Sequence, residues 1–139
     1  MKGLLSAAIL IALSAPACAA GVTVSDAWFR SLPAGLPAGG YMVLHNAGEK
    51  DAVLTGAASP ACGAIMLHQS ENMNGMSGMT MTDTVTIPAR GQFVFKPGGY
   101  HLMCMQPAMK IGTAVTVTLT FAGGAKITAS FAVKNARGT

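Results

Sequence analysis

Two short stretches of this chain combine imidazole with thioether. Five methionines, Met66, Met73, Met76, Met79 and Met81, lie close together in the chain, with His68 near the start of the run. The second stretch is Tyr100-His101-Leu102-Met103-Cys104-Met105. In a strand, residues two apart share a face, so His101, Met103 and Met105 point one way and Leu102 and Cys104 the other. Soft thioether and imidazole donors select Cu(I). Two His and two Met make a neutral set, so a bound Cu(I) keeps its single positive charge. Outside the cytoplasm paired thiols oxidise to disulfides, whereas a thioether has no proton to lose and forms none. Such a site can both hold an ion and release it, and spare Met nearby can pass copper on by ligand exchange. Its weakness is oxidation of Met to the sulfoxide.

These donors need a frame. The chain has 139 residues, 51% hydrophobic and 10% charged, with 17 Gly and 7 Pro scattered through it. That composition excludes a disordered chain and one long helical bundle, and the length fits one domain. Alternating or β-rich segments at short intervals predict strands at 22–28, 40–45, 52–56, 64–68, 84–87, 92–95, 100–105, 113–121 and 126–133. Turn signals separate them, among them Asn46-Ala47-Gly48, Pro97-Gly98-Gly99 and Gly123-Gly124. This spacing argues an all-β fold, an antiparallel β-sandwich. Gln69 to Thr82 fits neither a strand nor a helix pattern and reads as a polar, Gly-bearing loop that cannot present its Met to a core. Met42 and Met66 alternate with apolar neighbours and read as core filler. His45 reads as structural.

The first twenty residues read as an address. A positive start at Met1-Lys2, an apolar run from Leu4 to Leu13 and small residues at Ala15-Pro16-Ala17-Cys18-Ala19-Ala20 make a cleaved secretory signal. The run is too short to span a membrane. Residues 21–139 then form the mature domain, expected in the periplasm as a monomer without stable membrane insertion. Acylation of Cys18, which would make a lipoprotein, is the disfavoured alternative, because Ala15 replaces the Leu such a site prefers. Without Lys2 the mature chain has 8 basic and 5 acidic groups, a net charge of +3. With no basic run, nucleic acid is not an expected partner.

The spacing of His68, ten residues, Met79, twenty-one residues, His101, one residue and Met103 resembles the pattern of the PCuAC family of periplasmic copper chaperones. Pro97-Gly98-Gly99-Tyr100-His101-Leu102-Met103 is similar to that family's most recognisable stretch. Ala27-Trp28-Phe29-Arg30 and Ala38-Gly39-Gly40-Tyr41 are similar to its first strand and loop. The resemblance implies a cupredoxin-like Greek-key β-sandwich that binds one Cu(I), with His68, Met79, His101 and Met103 as ligands. It also implies delivery to a copper-accepting protein, the binuclear copper centre of cytochrome c oxidase, alongside a Sco-type thiol protein. Two departures stand out. Gln69 follows the first His where many members have Met, and Met-Thr-Met at 79–81 makes Met81 a substitute for Met79, with Met76 a weaker one.

Cys62 and Cys104 are the even pair left after the signal, and in an oxidising compartment a disulfide is expected between them. Cys104 as a copper ligand conflicts with the strand alternation. A blue-copper site needs a Cys thiolate and two His with a weak axial Met, yet Met105-Gln106-Pro107-Ala108-Met109 follows Cys104 without a His. The chain is not expected to be an enzyme, since no Gly-x-Ser-x-Gly elbow, Cys-x-x-Cys pair or phosphate-binding Gly loop is present. The leading expectation is a carrier of Cu(I), with Cu(II) as a further cargo. The alternative is a copper storage or resistance protein holding several ions on the Met-rich segment.

Overall fold

The computed structural model describes residues 21–139; the expected signal over 1–20, including Cys18, lies outside the described residues. Ten strands follow in order. They are β1 (Val22–Arg30), β2 (Ala38–Asn46), β3 (Ala52–Ala58), β4 (Ala64–Met73), β5 (Met76–Met81), β6 (Val85–Ile87), β7 (Gln92–Phe95), β8 (Tyr100–Met105), β9 (Ala114–Phe121) and β10 (Lys126–Lys134). Among the described residues the one helical element is a short 3₁₀ turn at Pro33–Gly35. None of their helices is long and apolar enough to cross a membrane.

The strands run β4-β8-β2-β1-β10-β9-β3, and β3 pairs back to β4 through Ala57 and Ile65. Seven strands therefore close on themselves, which removes the open edges of a sandwich. Every pairing is antiparallel except β1 with β10. This is the cupredoxin-like all-β fold that the sequence predicts.

Alternation sorts the side chains. Phe29, Met42, Leu44, Leu54, Leu102, Leu119 and Phe131 are sealed in the interior. Each lies on a strand whose neighbouring positions turn outward, so each of these strands adds one apolar row to the core. Burial of that row is the main stabilising term of such a fold. Met42 is core, as its neighbours suggest, whereas Met66 is not. Met66 sits one residue before the buried Leu67 and shares the opposite, outer face of β4 with His68. His45 is held by Ser25, whose hydroxyl lies 2.9 Å from its Nε2.

The Met-rich segment is a β-hairpin, not a loop. β4 continues to Met73, and β5 returns against it in unbroken register from Met73 and Met76 to His68 and Met81. The turn is Asn74-Gly75, with φ of 53° and 79°. Two successive positive φ values make a type I′ hairpin turn, which Asn-Gly favours strongly. The arm beyond Ser70 pairs with nothing but its own return strand, and all of β5 is exposed. Polar outward residues on both faces hide the period-2 signal that marks half-buried strands.

Cys62, in the β3–β4 connection, is disulfide-bonded to Cys104 of β8, with Cα atoms 5.4 Å apart. Cys104 is fully buried. The bridge thus ties the approach to β4 to the strand beside it, on the core side.

The hairpin gives a test. A β-branched residue at φ near +79° costs roughly 1–2 kcal/mol. Gly75→Val is therefore expected to raise amide hydrogen exchange across 72–80 by about tenfold while the global unfolding midpoint stays put. Unchanged protection of the arm would show that these residues are not held as a hairpin.

Candidate metal centre

β4 lies between β8 and β5. On one side His68 is directly opposite His101, and on the other it is directly opposite Met81. Directly paired residues project to the same face of a sheet. Met66, His68 and Ser70 of β4, His101 and Met103 of β8, and Met79 and Met81 of β5 therefore share one outer face. The imidazole rings of His68 and His101 stand edge to face, with centroids 5.6 Å apart. Met79, His101 and Met103 line one cavity of about 210 Å³ together with Ser70 and Gly98.

The two imidazoles are prepared differently. His101 is nearly buried, and its Nδ1 lies 3.1 Å from the Gly99 carbonyl oxygen. A carbonyl only accepts, so Nδ1 carries the proton and the Nε2 lone pair is left free. Orienting one ring nitrogen through a backbone carbonyl is how metal-binding histidines fix their tautomer. In His68 both ring nitrogens are buried and neither has a hydrogen-bond partner. Leaving such an atom unsatisfied costs about 1–3 kcal/mol. Burial, and next the neighbouring His101, hold the His68 pKa below the ordinary histidine range. That shift favours the neutral ring, whose lone pair has no acceptor role inside the protein.

The thioethers sit around this pair. Met79 and Met81 are 61% and 66% exposed, so solvent and partners reach the hairpin side of the site freely. Met103 is half-buried on β8 beside His101. Met81 is closest to His68 by register, while Met79 shares the cavity with His101 and Met103. Met76 is not brought to this face. It pairs with Met73 at the end of the hairpin, out of phase with Met79 and Met81. Met66 is a further thioether on this face, directly opposite Met103. The signal that finds Met66 is its position two residues before His68 on one strand. Cys104 faces the core and stands apart from the donor face.

Among the described residues no three side chains of His, Cys, Asp and Glu gather where they could share an ion. A site built here draws on thioether sulfur to complete its donor set, which favours a soft monovalent ion over hard cations.

A cupredoxin-like barrel carrying a two-imidazole, multi-thioether face at one end is the class that fold and geometry define. The chain belongs to the LpqE-like family: the profile described as "Putative lipoprotein LpqE-like" matches residues 22–133. A relative from Leifsonia xyli subsp. xyli, "Putative lipoprotein Lxx21020", is 31% identical over 121 residues, covering 85% of this chain and 72% of that protein. Solved structures agree in fold. The copper-bound PCuAC domain from PmoF2 is 21% identical and superimposes with a TM-score of 0.68, covering 83% of this chain and 93% of the other. Apo-DR1885 from Deinococcus radiodurans is 32% identical with a TM-score of 0.62 and 97% of both chains covered. Its Cu(I) form, also 32% identical, gives 0.61 over 88% of this chain and 81% of that one.

The His68 environment sets a pH dependence. With the folded pKa below the unfolded value near 6.5, the unfolded chain takes the proton first. The contribution of this residue to stability is then intact above about pH 6.5 and is lost as pH falls through the folded pKa. Urea unfolding of the copper-free protein should show that acid-side decline, and His68→Gln should flatten it. Identical profiles for the two proteins would contradict the assignment.

Proposed function

We propose that this protein is a copper chaperone that binds one Cu(I) per chain through His68, Met79, His101 and Met103. The observation that carries this reading is the His68–His101 pair, with lone pairs free of internal partners and thioethers on both sides. Two imidazoles fixed by the barrel supply the firm half of the site. Met103 adds a thioether from the same rigid strand. Met79 comes from the exposed arm and is the donor that moves.

This division suits transfer. An ion held by neutral, exchangeable donors leaves by stepwise replacement, and an incoming ligand displaces the most mobile donor first. Met81 and Met66 provide neighbouring sulfurs for such steps. Copper-bound forms of PCuAC-type structures support the cargo, and the family's lipoprotein descriptions support action outside the cytoplasm. The recipient follows from the resemblance described above: a copper-accepting protein, such as the copper centre of cytochrome c oxidase or a Sco-type partner. Binding and delivery, not catalysis, is the role proposed, with Cu(II) as a weaker cargo on the two imidazoles. Storage of several ions is the competing role, and the exposed Met76, Met79 and Met81 are what would serve it.

Titration with Cu(I) under a competing chelator separates these roles. One equivalent is expected, weakened at least about a hundredfold in a His101→Ala, Met103→Ala double variant. Met79→Leu should weaken binding more than Met81→Leu. Three or more equivalents that survive the double variant would establish storage and end the chaperone reading.

A further inference from the structure

The cavity that holds Met79, His101 and Met103 has a second wall of different chemistry, made by Arg30, Leu32, Pro37 and Tyr41. Arg30 is brought there by an irregularity in β1. Ser25 pairs with Val43 and Trp28 with Tyr41, so three steps along β1 match two along β2. The extra residue is a β-bulge, with Asp26 at a φ of 51°. A bulge resets the alternation. After it Phe29 turns inward, while Trp28 and Arg30 turn outward toward the donor face.

Around Arg30 the surroundings are aromatic and cationic. Trp28 and Tyr41 pack with centroids 4.7 Å apart. The guanidinium carbon lies 5.4 Å from the Tyr41 ring and 5.8 Å from the Trp28 ring. The Lys134 ammonium lies 5.3 Å from the Trp28 ring. Arg30 and Met103 both face Gly39, from opposite sides of β2. A Cβ at Gly39 would come within 2.6 Å of the Tyr41 hydroxyl, so any larger residue there would displace the Tyr41 ring from this wall.

Among the described residues no carboxylate forms an ion pair with Arg30. Its Nε is buried without a partner, and the one salt bridge among the described residues joins Arg90 to Glu49. Glu71, on the hairpin, accepts from Thr80 on the face away from the site. The two rings flank the guanidinium, which lines the same cavity as the donor face. A planar fork of this kind matches a carboxylate geometrically and forms charge-assisted hydrogen bonds with it. Copper loading sharpens the demand, because neutral donors leave the ion its positive charge a short way from a second, unanswered one.

We propose that Arg30, set against the Trp28–Tyr41 pair, is a docking site for an acidic side chain of the protein that receives the copper. The proposal rests on the copper reading above and adds the partner's chemistry: a thioether- or thiol-bearing acceptor with a carboxylate beside its metal ligands. The carboxylate aligns the acceptor over Met79 and offsets the charge at the cavity mouth as the ion moves.

Two synthetic acceptor peptides with the same Met-x-x-Met core, one flanked by Glu and one by Gln, test this at low ionic strength. Cu(I) retained by the protein is measured after rapid separation. The Glu peptide is expected to take copper about tenfold faster from the wild type. Arg30→Gln should abolish that preference, and Arg30→Lys should restore part of it. Equal rates to the two peptides from the wild type, or a preference that survives Arg30→Gln, would overturn the proposal. Should Arg30→Gln fail to fold, acetate decides with the wild type alone. Acetate must slow transfer to the Glu peptide and not to the Gln peptide, and no slowing overturns it. Failure of the copper reading itself would show earlier, as absence of Cu(I) uptake by the wild type.

Discussion

Strand alternation on β4 and β8 is the constraint on which the rest depends. Each strand must give one row of side chains to the core, so the other row is committed to the outside. Leu67, Leu102 and Cys104 take the inward positions. His68, His101 and Met103 are thereby forced outward, and the pairing register sets His68 opposite His101. A slip of one residue would move the whole donor set into the core and the apolar row into water. Core packing and donor placement are one requirement. The Cys62–Cys104 bridge pins β8 from the inner side, where it cannot compete for metal.

The energetics of the pair then lean toward an incoming ion. A buried imidazole without partners is a local loss of stability that a ligand of the lone pair removes. The barrel keeps this arrangement because its closed hydrogen-bonding and core burial do not depend on it. Rigidity and exchange are also divided in space. The two His and Met103 belong to strands paired on both edges, whereas Met79 and Met81 ride on a hairpin with one free edge and full exposure. Low local contact favours local opening, so the hairpin thioethers and the two imidazoles sit on elements of different local stability.

Much of this was legible in the residues. The alternation in 100–105 fixes which side chains of β8 can share an ion, and Gln92–Phe95 and Tyr100–Met105 have the predicted limits. The hairpin leaves no such trace, because its outward residues on both faces erase the apolar-polar alternation. Asn74-Gly75 was the available clue, since that pair is the preferred type I′ turn. Met66 is masked for a related reason: an apolar residue beside Leu67 resembles core until it is counted two positions from His68. The sequence gives no sign that Arg30 lines the cavity of the donor face. Its face depends on a bulge near Asp26, and a single inserted residue in a strand leaves no composition signal.

X-ray absorption at the copper edge of the Cu(I)-loaded protein reads the central claim most directly, because sulfur and nitrogen scatter differently. The expected result is a single ion with two imidazole nitrogens and two thioether sulfurs at bonding distance. A shell of sulfur alone, with neither imidazole bound, would place the ion on the hairpin and contradict the joint role of His68 and His101.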